Sequence, residues 1–290
     1  MTAQELEHLT IGVLALQGAF VEHIALLQKA AEELPLEHEA ERHTTGGLSD
    51  HGTAQLSGLP PITIIPVRNP ADLSRCAALV LPGGESTSIA LIAARTNLLP
   101  LLRDFVKVAR KPVWGTCAGL ILLAEVADRT KSTGQELIGG LDVRVRRNYF
   151  GRQVESFEAE LDLPFLQDGE RTSFHSVFIR APVVEEVLGP NRKAEVEEHV
   201  EGPSGTVTVT APSKKATMAE VEILARLPGR AKALKDKVAT AEELGEDGDI
   251  VAVRQGNVFG TAFHPELTGD GRIHRWWLKE VLKATRSPER

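Results

Sequence analysis

The sequence predicts an α/β protein built on a mixed, mostly parallel sheet. Two observations carry this. Through the first half, continuous apolar runs alternate with segments of helical period, and beyond Leu137 the runs shorten and alternate in polarity. Continuous runs mark strands covered on both faces, whereas alternating ones suit antiparallel or edge strands.

Leu9 to Leu16 reads as the first buried strand, and Phe20 to Glu33 as the helix behind it. Pro61 to Val67 is the second strand. Asn69-Pro70 then supplies a cap and a first-position proline for a short helix, and Ala77 to Leu81 forms the next strand. Pro82-Gly83-Gly84-Glu85-Ser86 is a loop, followed by helical patterns at Ser88 to Arg95 and Leu98 to Ala109. The Pro112 strand ends in Gly115-Thr116-Cys117-Ala118-Gly119, and an apolar helix runs over Leu120 to Ala124. Further strands are expected at Leu141 to Val145, Glu155 to Leu161, Ser173 to Ile179 and Val183 to Val187. Ile250 to Arg254 and Val258 to Phe263 flank Gln255-Gly256-Asn257 as a hairpin, and Arg272 to Arg286 is a terminal helix. Pro35 to Gly58 and Glu201 to Asp249 fit this plan poorly, so they read as surface insertions in one domain spanning 1–290, with Met218 to Val238 helical.

A chain of 290 residues, 42% of them apolar, can bury a sizeable core. Its 40 acidic against 33 basic residues argue against nucleic acid or an anionic membrane as the main partner. Cys76 and Cys117 make no disulfide framework and fit a reducing compartment, so a cytoplasmic protein is expected. Leu9 to Leu16 is too short for a signal or membrane segment, and no basic region precedes it. No metal site or cofactor is expected.

Chemistry concentrates at Cys117. Small residues on both sides let the backbone turn sharply from strand to helix, which is the form of a nucleophile elbow. A helix N-terminus behind the thiol favours the thiolate. For the pentapeptide alone, a buried structural cysteine beside a tight turn is the other reading. The partner base is sought among nine histidines. In Phe263-His264-Pro265-Glu266 an extended backbone puts residues i and i+2 on one side, so Glu266 can orient the His264 imidazole. His23 and His175 read as satisfied structural histidines, and Cys76 as core.

Pro82-Gly83-Gly84-Glu85-Ser86-Thr87, Gly115 to Gly119 and Phe263 to Glu266, in this order, resemble a class I (triad) glutamine amidotransferase. Leu14 to Ala19 with Glu22-His23, Arg147 to Gln153, Ser156-Phe157-Glu158 and Val177 to Pro182 resemble the glutaminase subunit of pyridoxal 5'-phosphate synthase. The resemblance implies a flavodoxin-like, three-layer α/β/α fold. It also implies Cys117 as nucleophile, His264 as acid and base, and Glu266 as orienter. Glutamine binding would fall to Gly84, Glu85, Ser86, Arg147, Ile179 and Arg180, and the oxyanion hole to Gly83, Gly84 and Ala118. The implied partner is a separate (β/α)8-barrel synthase subunit in a large hetero-oligomer, which receives the ammonia. A glutamine amidotransferase subunit of another pathway and a catalytically silent subunit of the same fold stand as alternatives.

Overall fold

The computed structural model describes residues 8–45, 59–128, 135–147, 149, 156–166, 173–189, 208–212, 219–227 and 248–286. In chain order the first half runs β1 (Leu9–Leu14), α1 (Phe20–Thr45), β2 (Ile62–Val67), α2 (Pro70–Ser74), β3 (Ala78–Leu81), α3 (Ser86–Arg95), α4 (Leu98–Arg103), β4 (Val113–Thr116) and α5 (Ala118–Leu123). The remainder runs β5 (Ala124–Asp128), β6 (Leu141–Arg146), β7 (Ser156–Asp162), β8 (Ser173–Ile179), β9 (Val183–Val187), β10 (Thr208–Thr210), β11 (Glu222–Leu227), β12 (Asp249–Gln255), β13 (Val258–Thr261) and α6 (Arg272–Arg286). Asn69 caps α2 as predicted, its side chain accepting from the Asp72 N–H with Pro70 in the first turn.

Strands β2, β1, β3, β4 and β13 lie side by side in that order and are parallel throughout. This is the flavodoxin-like order, with the fifth place taken by a strand from near the far end of the chain. Antiparallel β12 follows β13, and β9, β6, β5 and β10 extend the sheet, so the sheet is mixed. Strands β7 and β8 form a separate antiparallel pair.

Alternation along β4 sorts the helices into layers. Trp114 packs its ring against His23 of α1 and against His274 and Trp277 of α6. Gly115, between Trp114 and Thr116, faces α5 instead: a Cβ there would stand 2.5 Å from the Gly119 carbonyl carbon. Helices α1 and α6 therefore cover one face and α5 the other. Burial of Ile11, Val13, Leu79, Val80, Val113 and Leu120 fills both interfaces.

Several boundaries differ from the sequence reading. Helix α1 continues through Pro35 to Thr45, into the stretch expected to be an insertion. Helix α3 starts at Ser86, two residues early, because Glu85 caps it. The Leu98 to Ala109 helix is α4 followed by a π-helical turn at Asp104–Val108. Strand β5 begins at Ala124, directly after α5, and was not foreseen. The helix expected over Met218 to Val238 is corrected: Glu222–Leu227 is a strand, paired antiparallel with β12. Residues 228–247 lie outside the described residues, as do Asn148 and 150–153 of the Arg147 to Gln153 block. No helix among the described residues is long and apolar enough to cross a membrane.

Candidate active site

The C-terminal ends of the parallel strands converge on one place, as expected for ligand sites in open α/β sheets. Strand order reverses between β1 and β3, and the loops leaving those two strands are tied together there. The Ala19 N–H donates to the Gly83 carbonyl at 3.1 Å, and the Glu85 N–H donates to Gln17 Oε1 at 2.7 Å.

Cys117 occupies the single residue between β4 and α5, at φ 47° and ψ −98°. A non-glycine side chain in that region is strained, and such strain persists where the surroundings enforce it. Here they do so through close packing. A Cβ on Gly119 would lie 2.0 Å from the Leu81 carbonyl oxygen, so the first turn of α5 presses directly on β3. The Cys117 N–H donates to the Thr261 carbonyl at 2.8 Å, which locks the elbow to β13.

That lock brings in the histidine. Thr116 and Thr261 are register partners at the ends of β4 and β13, and His264 lies three residues beyond Thr261. Its backbone N–H donates to the Val177 carbonyl of β8 at 2.8 Å. Its Nδ1–H donates to Glu266 Oε1 at 2.7 Å, and it lines the same cavity as Cys117. Burial works against the charged imidazole, but its interactions with Cys117 and Glu266 outweigh it and push His264 up to about 10. Burial likewise opposes the Glu266 carboxylate, yet His23 and His264 hold it well below the usual carboxylate range. Cys117, His264 and Glu266 are thus all buried, with His264 hydrogen-bonded to Glu266 and electrostatically coupled to Cys117.

A cavity of about 290 Å³ opens above Cys117 and His264. The predicted residues Gly84, Glu85, Ser86, Arg147, Ile179 and Arg180 all line it. Glu85 spends its carboxylate on capping α3, accepting from the Thr87 and Ser88 N–H groups at 3.0 and 2.7 Å. Burial opposes that charge but the cap lowers the carboxyl below its ordinary value. Ser86 is buried and donates to Gln135 Oε1 at 3.1 Å, an oxygen that Arg147 Nη2 also meets. Burial lowers the Arg147 guanidinium, against the opposing pull of Glu85 and Asp128. The Ile179 carbonyl lies 3.9 Å from Cys117 Sγ, and Arg180 follows it at φ 43°. Gly83 is packed beneath the His264 ring. Ala118 opens α5, whose hydrogen bonding begins with the Ile121 N–H on the Cys117 carbonyl, so the Ala118 N–H lies outside the helix's own ladder.

Sequence reasoning missed Gln17 and Ile121, which line the cavity, and Gln135, which joins Ser86 to Arg147. Gln17 was findable: it directly follows the first strand, at the switch point. His23, set aside as structural, lies 3.3 Å from Glu266. Among the described residues, no group of three or more His, Cys, Asp or Glu side chains could hold a metal ion.

A cysteine at the end of β4 answered by a histidine from the end of β13, on this strand order, is the arrangement of the class I glutamine amidotransferases. A crystal structure of a glutamine amidotransferase is similar to 94% of this chain and 98% of its own, with a TM-score of 0.57 and 33% identity. Within that class the chain belongs to the SNO glutamine amidotransferase family, which matches residues 13–223 and 217–283. A relative from Arabidopsis thaliana, the probable pyridoxal 5'-phosphate synthase subunit PDX2, is 39% identical over 93% of this chain and 85% of its own. The Saccharomyces cerevisiae pyridoxal 5'-phosphate synthase subunit SNO1 is 36% identical over 94% of this chain and 92% of its own.

Proposed function

We propose that this chain hydrolyses L-glutamine to L-glutamate and ammonia and passes the ammonia to a synthase subunit that makes pyridoxal 5'-phosphate. The observation that carries the reading is the strained Cys117 elbow beside a hydrogen-bonded His264–Glu266 pair at the floor of a substrate-sized cavity. The pathway is supported by relatives named as pyridoxal 5'-phosphate synthase subunits.

Cys117 Sγ, as thiolate, attacks the carboxamide carbon. The oxyanion that forms takes the Ala118 N–H at the start of α5 and the Gly84 N–H. The Gly83 carbonyl is bound by Ala19, and in a trans peptide the Gly84 N–H points the opposite way, away from that bond. His264, held protonated by its two partners, gives its proton to the leaving nitrogen, and ammonia departs. Water then attacks the thioester with His264 as base, releasing glutamate and restoring Cys117. Arg147 and Arg180 supply positive charge for the substrate carboxylate, and Glu85 negative charge for its ammonium.

Ammonia released into neutral water would be protonated and lost as a nucleophile, which favours direct delivery to a docked (β/α)8-barrel synthase. Two free cysteines, one of them the nucleophile, fit the reducing cytosol. The test is glutamate production with and without the cognate synthase subunit, using Cys117→Ala as control. Activity that rises on mixing and vanishes in the variant is expected. Activity indifferent to the synthase would remove the pathway assignment, and activity that survives in Cys117→Ala would remove the mechanism.

A further inference from the structure

We propose that His23 is a positioning residue of this site, fixing the second carboxylate oxygen of Glu266, with His274 setting the orientation and tautomer of His23. The inference rests on the triad reading above and extends it inward by two residues.

Glu266 has two oxygens, and its side chain is fully removed from solvent, so what stands beside each oxygen within the protein sets its orientation. Oε1 takes the His264 Nδ1–H at 2.7 Å. Oε2 makes no hydrogen bond, and the basic group beside it is His23, whose Nε2 stands 3.3 Å away. The same Nε2 lies 3.2 Å from Thr116 Oγ1, on the residue that precedes the nucleophile. His23 Nδ1 is 2.9 Å from His274 Nε2, and both rings are completely buried. The chain therefore runs from Cys117 through His264, Glu266 and His23 to His274, and joins α1, α6, β4 and the turn after β13.

Orphaned atoms settle the direction of the bonds. His274 Nδ1 is buried without a hydrogen-bond partner. Burial drives His274 well below its ordinary value, so it is neutral and carries one N–H. A bare ring nitrogen is the less costly orphan than a stranded N–H, so the hydrogen sits on Nε2 and is donated to His23 Nδ1. That leaves the His23 hydrogen on Nε2, the nitrogen that lies 3.2 Å from Thr116 Oγ1 and 3.3 Å from Glu266 Oε2. Trp114 packs edge-on against both imidazoles, with centroids 5.3 Å from His23 and 4.9 Å from His274, which restrains ring rotation. His23 thus backs the second oxygen of Glu266 through a 3.3 Å charge contact, where His264 holds the first through a 2.7 Å hydrogen bond.

The test compares His23→Leu, His23→Gln and Glu266→Gln in the full chain with its cognate synthase, with melting temperatures recorded for each. Iodoacetamide alkylation of Cys117, read by peptide mass in the chain alone, gives a second measure of the Cys117–His264 pair. His23→Leu is expected to lower kcat by about 10–100-fold, the cost typical of removing a group that orients a catalytic partner. KM for glutamine should stay within about twofold, and alkylation should slow in parallel. His23→Gln, which keeps a side-chain N–H, is expected to recover part of both losses. On the Glu266→Gln background, the His23→Gln change should add nothing. Wild-type kcat in His23→Leu, or a full additional loss in the double variant, overturns the proposal; the double-variant readout stands even if His23→Leu fails to fold. Wild-type kcat in Glu266→Gln alone would instead overturn the triad reading, and this inference with it.

Discussion

The imidazole of His264 rests on Gly83: a Cβ at that glycine would stand 2.3 Å from Cε1 and 2.7 Å from Nδ1. Glycine is required there by the neighbour rather than by its own backbone, since φ at Gly83 is not positive. Gly83→Ala must push the ring off its line between Cys117 and Glu266. A displacement of about 1 Å costs roughly 100-fold in rate, so kcat should fall by about that factor or more. Gly271→Ala, where an added Cβ meets nothing within 4 Å, should leave kcat unchanged. Steady-state glutaminase kinetics of the two variants check the contrast.

Protonation of His264 links the site to stability. Although burial disfavours the charged ring, its interactions with Cys117 and Glu266 raise it to about 10, above the ordinary value of about 6.5. The native state therefore keeps a proton that the unfolded chain releases. Its contribution is fully present below about 6.5 and is lost as pH rises through about 10, so stability declines across that window. His264→Asn should show a flatter decline. Melting temperatures of both proteins from pH 6 to pH 10 supply the comparison, and parallel curves would refute the linkage.

The role proposed for Arg147 is in substrate binding rather than in the bond-breaking step. It lines the cavity, is buried, and shares Gln135 with Ser86, so its guanidinium is held in place before any ligand arrives. A hydrogen bond to a charged group is worth about 1.5–3 kcal/mol. Arg147→Ala should therefore raise KM for glutamine by about 10–100-fold, with a smaller effect on kcat. Kinetics over a wide glutamine range separate the two, and a loss confined to kcat would place Arg147 in the chemical step instead.

Local chemistry made the proposed reacting residues readable in the sequence, and distance in the chain concealed the residues packed around them. Cys117 was marked by glycines two residues away on each side, and Glu266 by its i+2 spacing from His264; both signals survive folding because neighbours in sequence create them. His23 carries no such mark. It sits within an ordinary helix, and only the packing of α1 and α6 over Trp114 brings it to Glu266. Gln135 is equally silent, because its partners Ser86 and Arg147 come from two other elements. Among the folding elements, β11 was misread because its flanks are rich in Ala, Glu and Lys, yet pairing with β12 decides its conformation. Pro35 to Gly58 read as an insertion, yet α1 runs on through Pro35, whose missing N–H costs an interior helix bond, as far as Thr45.

Stability away from the site is tested by Lys107, which is 3% exposed and sits under the sheet's extension. Its ammonium lies 2.7 Å from Glu125 Oε1 and donates to Glu125 Oε2 at 3.0 Å and to the Pro212 carbonyl at 2.9 Å. Glu125 Oε1 in turn accepts the Gly140 N–H at 2.8 Å, so one ammonium joins α4's extension, β5 and the segment after β10. Removing one member of a buried ion pair strands the other charge, at a cost of about 3–5 kcal/mol. Glu125 keeps some solvent contact, which places Lys107→Ala near the lower figure. For a chain of this size that corresponds to a fall of about 6–12 °C in melting temperature. The double variant Lys107→Met with Glu125→Leu removes both charges and should regain much of the loss, because desolvation of the pair is then no longer required. Thermal unfolding of the three proteins decides it: if the double variant is as unstable as Lys107→Ala, the loss comes from packing rather than from the stranded carboxylate.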